Sequence, residues 1–187
     1  MRRVLTVPAT FDPREIVIVR DTREQRGYTF SRFSEVRVVD GTLSAGDYGL
    51  ARFPDGPMCE RKTISDFAGV VGADRPRYVR ELEKLRGRPC SCVVVESSLQ
   101  EIAMAPWRGR VTAAQVMGSI ISWSQRYVPH YLVGDRDAGE AFVLAWLRTW
   151  MRHEHARVRA VAEALACEVF NDVVALGGVA EGVTKGF

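Results

Sequence analysis

Residues Ile16-Val17-Ile18-Val19 form an unbroken β-branched run, the pattern of a strand buried on both faces, and the run ends in the charged string Arg20-Asp21-Thr22-Arg23-Glu24. Val38 and Val39 lead through the glycines 41 and 46 into Tyr48-Gly49-Leu50-Ala51-Arg52-Phe53, whose alternation predicts a second type of strand, half-buried, with Asp47 at its start. Pro54-Asp55-Gly56-Pro57 is a strong turn signal and predicts reversal into a strand over Met58 to Lys62. Three helices follow. Pro76 in a first turn and Gly87 as a stop bound one. Thr112-x-x-Gln115, a capping-box pair, opens another with Val116, Met117, Ile120, Ile121 and Trp123 as its apolar stripe. Asp137-x-x-Glu140 repeats that signal before Phe142, Val143, Trp146, Leu147, Trp150 and Met151, a wide apolar face. Residues 153 to 170 continue in helical register, and Gly177-Gly178, Gly182 and Gly186 predict a mobile tail.

This pattern gathers chemistry in one place. A hairpin turning at 54–57 brings Asp47 back beside Glu60, and Glu60 and Lys62, two apart on a strand, leave the same face while Arg61 points the other way. Two carboxylates and an ammonium then share a small volume. Mg²⁺ is a hard cation usually held by one or two protein carboxylates, which Asp47 and Glu60 supply, and a neighbouring lysine suits an attacking hydroxide or a charged phosphorus centre. A surface hairpin carrying an ordinary acid–base pair explains a bare Asp…Glu-x-Lys equally well.

The longer string changes that balance. Asp21-x-Arg23-Glu24, then Gly46-Asp47-Tyr48, then Glu60-Arg61-Lys62-x-x-x-Asp66 resembles, in order, the three motifs of the nuclease domain of the XPF/Hef-type structure-specific endonucleases. Arg77-Tyr78-Val79-Arg80 resembles that family's next helix and Val93-Val94-Val95-Glu96 its next central strand, so the likeness covers about residues 16 to 152. It implies an α/β, restriction-endonuclease-like three-layer fold with a central mixed β-sheet flanked by helices. It also implies Mg²⁺- or Mn²⁺-dependent cleavage of branched, flapped or junction DNA, and homodimers. On this resemblance Asp47 and Glu60 are the metal ligands, Lys62 is the catalytic lysine, and Asp21, Arg23, Glu24, Arg61 and Asp66 surround them. Arg20 stands where the family has an apolar residue, and Glu81 where it often has a polar amide. The 35 residues after Arg152 are too few for the paired helix-hairpin-helix module of many relatives, so an unseen partner for branch recognition enters the expectation. The alternatives are a non-catalytic DNA-binding scaffold and a restriction-type nuclease for linear duplex.

Composition adds bounds. With 187 residues, 47% of them hydrophobic, one domain over 16–152 is expected between an N-terminal extension (1–15) and a C-terminal helix and tail (153–187). No stretch approaches the ~20 apolar residues of a membrane span, and a cytoplasmic location is expected. The net charge of +3 decides nothing about nucleic acid, but Arg75, Arg77, Arg80, Lys84, Arg86 and Arg88 outnumber Glu81 and Glu83 on one short helix. Read with the motifs upstream, Arg23, Arg75, Arg77, Arg80 and Lys84 become candidate phosphate contacts; read alone they are a solvated face. Cys59, Cys90, Cys92 and Cys167 lack metal spacing and read as free thiols packed as small hydrophobes. His130, His153 and His155 show no ligand spacing, and the last two read as surface residues.

Overall fold

A computed structural model describes residues 15–107 and 111–178, with side chains as far as Leu165. The extension before residue 15, Cys167, Gly182 and Gly186 lie outside what is described in full. Six strands form one mixed sheet in the order β2-β1-β3-β4-β5-β6. They are β1 (Ile16–Asp21), β2 (Val36–Gly41), β3 (Tyr48–Leu50), β4 (Phe53–Thr63), β5 (Ser91–Glu96) and β6 (His130–Leu132). The β-branched runs fall at β1, where Ile16 and Ile18 are buried and Val17 and Val19 half-buried, and at β5, where Val93, Val94 and Val95 are all fully buried. β1 pairs with β2, and β4 with β5 and β5 with β6, in parallel, while β3 is antiparallel to both β1 and β4.

Helices α1 (Ile64–Val71), α2 (Arg75–Arg86), α3 (Leu99–Met104) and α4 (Ala113–Arg126) cover one face of the sheet. Phe67, Tyr78, Leu82, Leu85, Ile102, Val116, Ile120 and Trp123 meet Met58, Val93 and Val95 there in a single apolar cluster. The first part of α5 (Arg136–Gly178), up to Trp150, supplies the opposite layer. Its Val143, Leu144 and Leu147 are buried, Phe142 packs on Tyr131 of β6 with ring centroids 4.9 Å apart, and Trp150 meets Phe53 edge-on at 5.1 Å. Phe142 and Trp150 of the wide apolar face thus have partners inside the domain. From Met151 onward α5 belongs to a second unit, where Arg157 pairs with Glu154 and Arg159 with Glu163, and Val158, Val161 and Leu165 are exposed. The helix runs through Gly177 and Gly178, which the sequence pattern places in a mobile tail.

The hairpin reverses earlier than its turn signal. Chain reversal falls at Ala51-Arg52, β3 ends at Leu50, and Pro54 to Pro57 lie inside β4, where pairing jumps from Gly49↔Met58 to Leu50↔Phe53. Proline has no N–H for a ladder, so the Pro-Asp-Gly-Pro segment is accommodated as a bulge rather than as the turn itself. The register around the motif is unaffected: Tyr48 faces Cys59 and so delivers Asp47 beside Glu60.

Helix ends follow their caps with one exception. Thr112 and Gln115 form the expected capping box of α4, and Asp74 and Gly87 bound α2. Ser98 and Glu101 cap α3 in the same way, and Thr63 and Asp66 form a capping box on α1; these two short helices carry the same Ser/Thr-x-x-acid signal but lack a long apolar stripe. At α5 the cap is Asp135, whose Oδ1 accepts the Ala138 N–H at 2.8 Å, not Asp137. Glu140 does not reach back to the helix start. It accepts the N–H groups of Thr29 (3.1 Å) and Phe30 (2.6 Å) and pairs with Arg32, pinning the loop after β1, in which Phe30 adopts φ 54°.

Candidate active site

Asp47 is held by both neighbouring strands. Its C=O accepts the N–H of Asp21 and its N–H donates to Cys59, each at 2.8 Å, and one carboxylate oxygen accepts the N–H of Arg61 at 2.7 Å. Gly46, at φ 72°, permits this approach: a Cβ there would lie 3.0 Å from the Cys59 carbonyl oxygen. On β4, Glu60 and Lys62 lie in register with Val93 and Val95 and so face α2, while Arg61 is in register with Val94 and faces the other way. Lys62 forms an ion pair with Glu60. The expected convergence of Asp47, Glu60 and Lys62 is what the backbone produces.

Glu60 is buried and Asp47 and Lys62 are half-buried, and all three open onto a cleft of about 770 Å³, lined also by Asp21, Arg23, Glu24, Asp66, Arg77, Glu81 and Lys84. Burial pushes the Asp47 carboxyl well above the usual range, and repulsion from Glu60 adds to it, outweighing the Arg61 N–H and the Lys62 charge. Burial raises Glu60 as well, more than Lys62 pulls it down. Lys62 behaves in the opposite sense: burial works against its charge, but attraction to Glu60 and the hydrogen bond between them hold it protonated. One lysine does not fully neutralise these two carboxylates. Without a cation Asp47 therefore holds a proton at neutral pH, and a divalent cation on these hard oxygen donors would supply the charge that lets both carboxylates ionise. Among the described residues no three His, Cys, Asp or Glu side chains converge as a ready-made metal cage, so water or substrate oxygens would complete the coordination of a cation held by Asp47 and Glu60.

The other motif residues divide by what they touch. Asp21, 1% exposed, accepts from the side chain of Arg23 (2.6 and 2.9 Å) and from the N–H groups of Arg23 and Leu43. Burial alone would raise its pKa, but those bonds outweigh it and leave the carboxyl low. Both oxygens are used, so Asp21 braces the end of β1 and Arg23, which also donates to Leu43 O at 2.9 Å, is bound up with it. Glu24 lies 3.5 Å from Arg61, and Arg61 makes a two-pronged pair with Glu96 at 2.7 Å per prong. The Arg61 guanidinium also lies over Tyr28, 5.4 Å from its centroid, with Arg136 of α5 at 5.2 Å. Arg61 is thus a buried tie that leaves β4 on the opposite face from Lys62 and, beside Glu24, still borders the cleft. Asp66 accepts from the Thr63 N–H and hydroxyl, which makes it a helix cap at the cleft's edge.

Of the basic side chains on α2, Arg77 and Lys84 line the cleft, with Arg77 sharing Glu81 at 3.4 Å. Arg75, exposed, turns toward α4 rather than into the cleft, donating to Ser119 Oγ at 2.9 Å with its guanidinium 4.9 Å from the Trp123 ring centroid. Arg80 is exposed but outside the cleft lining. Cys59 and Cys92 are buried free thiols on paired strands, as expected, with their sulfurs 3.6 Å apart.

No protein-family model and no curated protein matches the chain. Among solved structures it is similar to XPF from Aeropyrum pernix, with a TM-score of 0.56 and 24% identity over 79% of this chain and 69% of that one. It is also similar to XPF from Aeropyrum pernix in complex with DNA, with a TM-score of 0.55 and 23% identity over 72% of this chain and 64% of that one. The fold is similar to that of XPF from Aeropyrum pernix. The expected three-layer α/β architecture, a mixed sheet between two helical layers, is the one observed. Within this fold, Tyr28, Tyr78, Glu96, Arg136 and Glu140 support the site without belonging to the expected set of site residues. A buried Arg61 needs an acid on the neighbouring strand, and Glu96 at the end of the valine run is the sequence signal for it.

Proposed function

We propose that this protein is a divalent-metal-dependent DNA endonuclease acting on branched, flapped or junction-containing DNA. The observation that carries the reading is the placement of Asp47, Glu60 and Lys62: two adjacent carboxyl groups, both raised in pKa, and a charged lysine at the wall of an open cleft whose rim holds Arg77 and Lys84. XPF from Aeropyrum pernix, similar in fold, has been solved with DNA, which supports nucleic acid as the ligand.

In this reading Asp47 and Glu60 would hold Mg²⁺ or Mn²⁺, whose chemistry there would be to activate a water and offset charge on the phosphate. The ammonium of Lys62 stands beside Glu60, where it offsets negative charge developing on the phosphorus oxygens in the transition state. Arg77 and Lys84 track the phosphate backbone, which positions the strand but selects no sequence. Arg61, held by Glu96, keeps β4 in register with β5, so that Glu60 and Lys62 reach the cleft together.

Incubating the protein with Mg²⁺ and labelled linear duplex, flap, fork and four-way DNA tests the substrate. Faster cutting of the branched forms supports the proposal. Equal cutting of linear duplex points to a restriction-type nuclease, and binding without cutting of any form points to a scaffold.

A further inference from the structure

Lys62 has a second neighbour besides Glu60. The ring of Tyr78, on α2, lies with its centroid 5.5 Å from Lys62 Nζ. Tyr78 is 1% exposed, and its ring is locked on the side away from the cleft. Trp123 meets it edge-on at 4.9 Å, and its hydroxyl is 3.1 Å from His130 Nε2. His130 Nδ1 lies 2.9 Å from Val128 O, so Nδ1 carries the proton, and Nε2 is left to accept from Tyr78. Burial pulls the His130 pKa down to about 4, which keeps the ring neutral and this tautomer in place at neutral pH. The imidazole in turn stacks on Trp123 with centroids 6.0 Å apart. This is more apparatus than core filling requires, since a leucine would occupy the same helix face without a buried hydroxyl to satisfy.

The arrangement answers a conflict within the site. Glu60 is both the ion-pair partner of Lys62 and one of the two carboxylates available to a cation. Once its charge is shared with a cation, the hold on Lys62 weakens, and the two positive charges repel. An aromatic face attracts an ammonium through its quadrupole without adding an anion that would compete for the metal. We propose that Tyr78, fixed by His130 and Trp123, is the positioning residue that keeps the Lys62 ammonium in the cleft while Glu60 serves as a metal ligand. The proposal rests on the nuclease reading.

The test keeps shape and changes only the ring's electrostatics. Tyr78→Phe retains the aromatic face and is expected to keep the single-turnover cleavage rate within about threefold, whereas a polyfluorinated phenylalanine at position 78 should lower it roughly tenfold, with DNA affinity in Ca²⁺ unchanged. In a Lys62→Ala background the same fluorination should cost nothing further, because a residue acting through Lys62 shows no separate effect once Lys62 is gone. Equal rates for the two ring variants, or an additive loss in the double variant, would overturn the proposal. A readout independent of cleavage is the Lys62 ε-methylene proton shift: ring-current displacement present in wild type and Tyr78→Phe and lost in Tyr78→Leu supports the contact, and no displacement in wild type contradicts it. Wild-type protein that cuts no DNA would remove the nuclease reading while leaving that shift to decide whether Tyr78 holds Lys62.

Discussion

The carboxylate of Asp47 accepts the N–H of Arg61 at 2.7 Å, which ties the residue before the hairpin to the point on β4 midway between Glu60 and Lys62. Because that bond runs to backbone, it fixes where Asp47 stands without depending on any side chain of the site. The remaining charge of Asp47 meets Glu60 in a buried setting, and this has a measurable consequence.

Asp47 is raised in the folded protein above its unfolded value of 3.8, to about 8. Between those limits the unfolded chain has lost a proton that the folded chain retains, so in the absence of metal this group lowers stability progressively as pH rises from about 4 to about 8. Asp47→Asn should remove that dependence. In EDTA its melting temperature is expected to match wild type near pH 4 and to exceed it by several degrees at pH 8. A constant difference across the range would show that Asp47 is not destabilised by its surroundings.

His130 has the opposite sign. Burial lowers it from 6.5 to about 4, so the unfolded chain takes up a proton that the folded chain refuses, and stability present above pH 6.5 is lost as pH falls toward 4. The loss is on the order of 3 kcal/mol. Chemical denaturation of wild type and His130→Gln at pH 7 and pH 4.5 should show the wild type losing more stability between the two.

Helix propensity suggests that Gly139→Ala in α5 should stabilise by about 1 kcal/mol. The structure reverses that expectation: a Cβ there would fall on the Tyr28 hydroxyl and 3.1 Å from its Cζ, and the Tyr28 ring is held by stacking on Tyr48 at 5.1 Å. The substitution should cost roughly 1–3 kcal/mol as overpacking. Urea unfolding decides between the two signs.

The two ends of the legibility scale are illustrated by β4 and α5. Glu60, Arg61 and Lys62 were readable because strand period alone assigns their faces, and three ordered motifs fixed the architecture around them. The Pro54–Pro57 segment was misread because a Pro-Asp-Gly-Pro string has the composition of a turn and of a bulge alike, and only pairing partners distinguish them. Glu140 was misread for a related reason: its capping partner lies three residues away in sequence, whereas its actual donors, Thr29 and Phe30, lie more than a hundred away. The roles of Asp21 and Arg75 depend on tertiary partners, Leu43 and Ser119, that no local pattern specifies.

Arg77 and Lys84 face the cleft, and Arg75 does not. Arg77→Ala and Lys84→Ala should each reduce the salt dependence of DNA binding in Ca²⁺ by roughly one unit of log K against log [salt], while Arg75→Ala should leave that slope unchanged. Fluorescence anisotropy across a salt series measures it; a slope altered by Arg75→Ala alone would place the DNA along α4.

The central claim is that Asp47 and Glu60 together hold the cation on which cleavage depends. Single-turnover cleavage of flap DNA under a Mg²⁺ titration tests it directly, comparing wild type with Asp47→Ala and Glu60→Ala. Loss of cleavage by at least about a hundredfold in each variant, with DNA affinity in Ca²⁺ retained, is the expected result. Near wild-type cutting by either variant, or wild-type cutting that persists in EDTA, would contradict it.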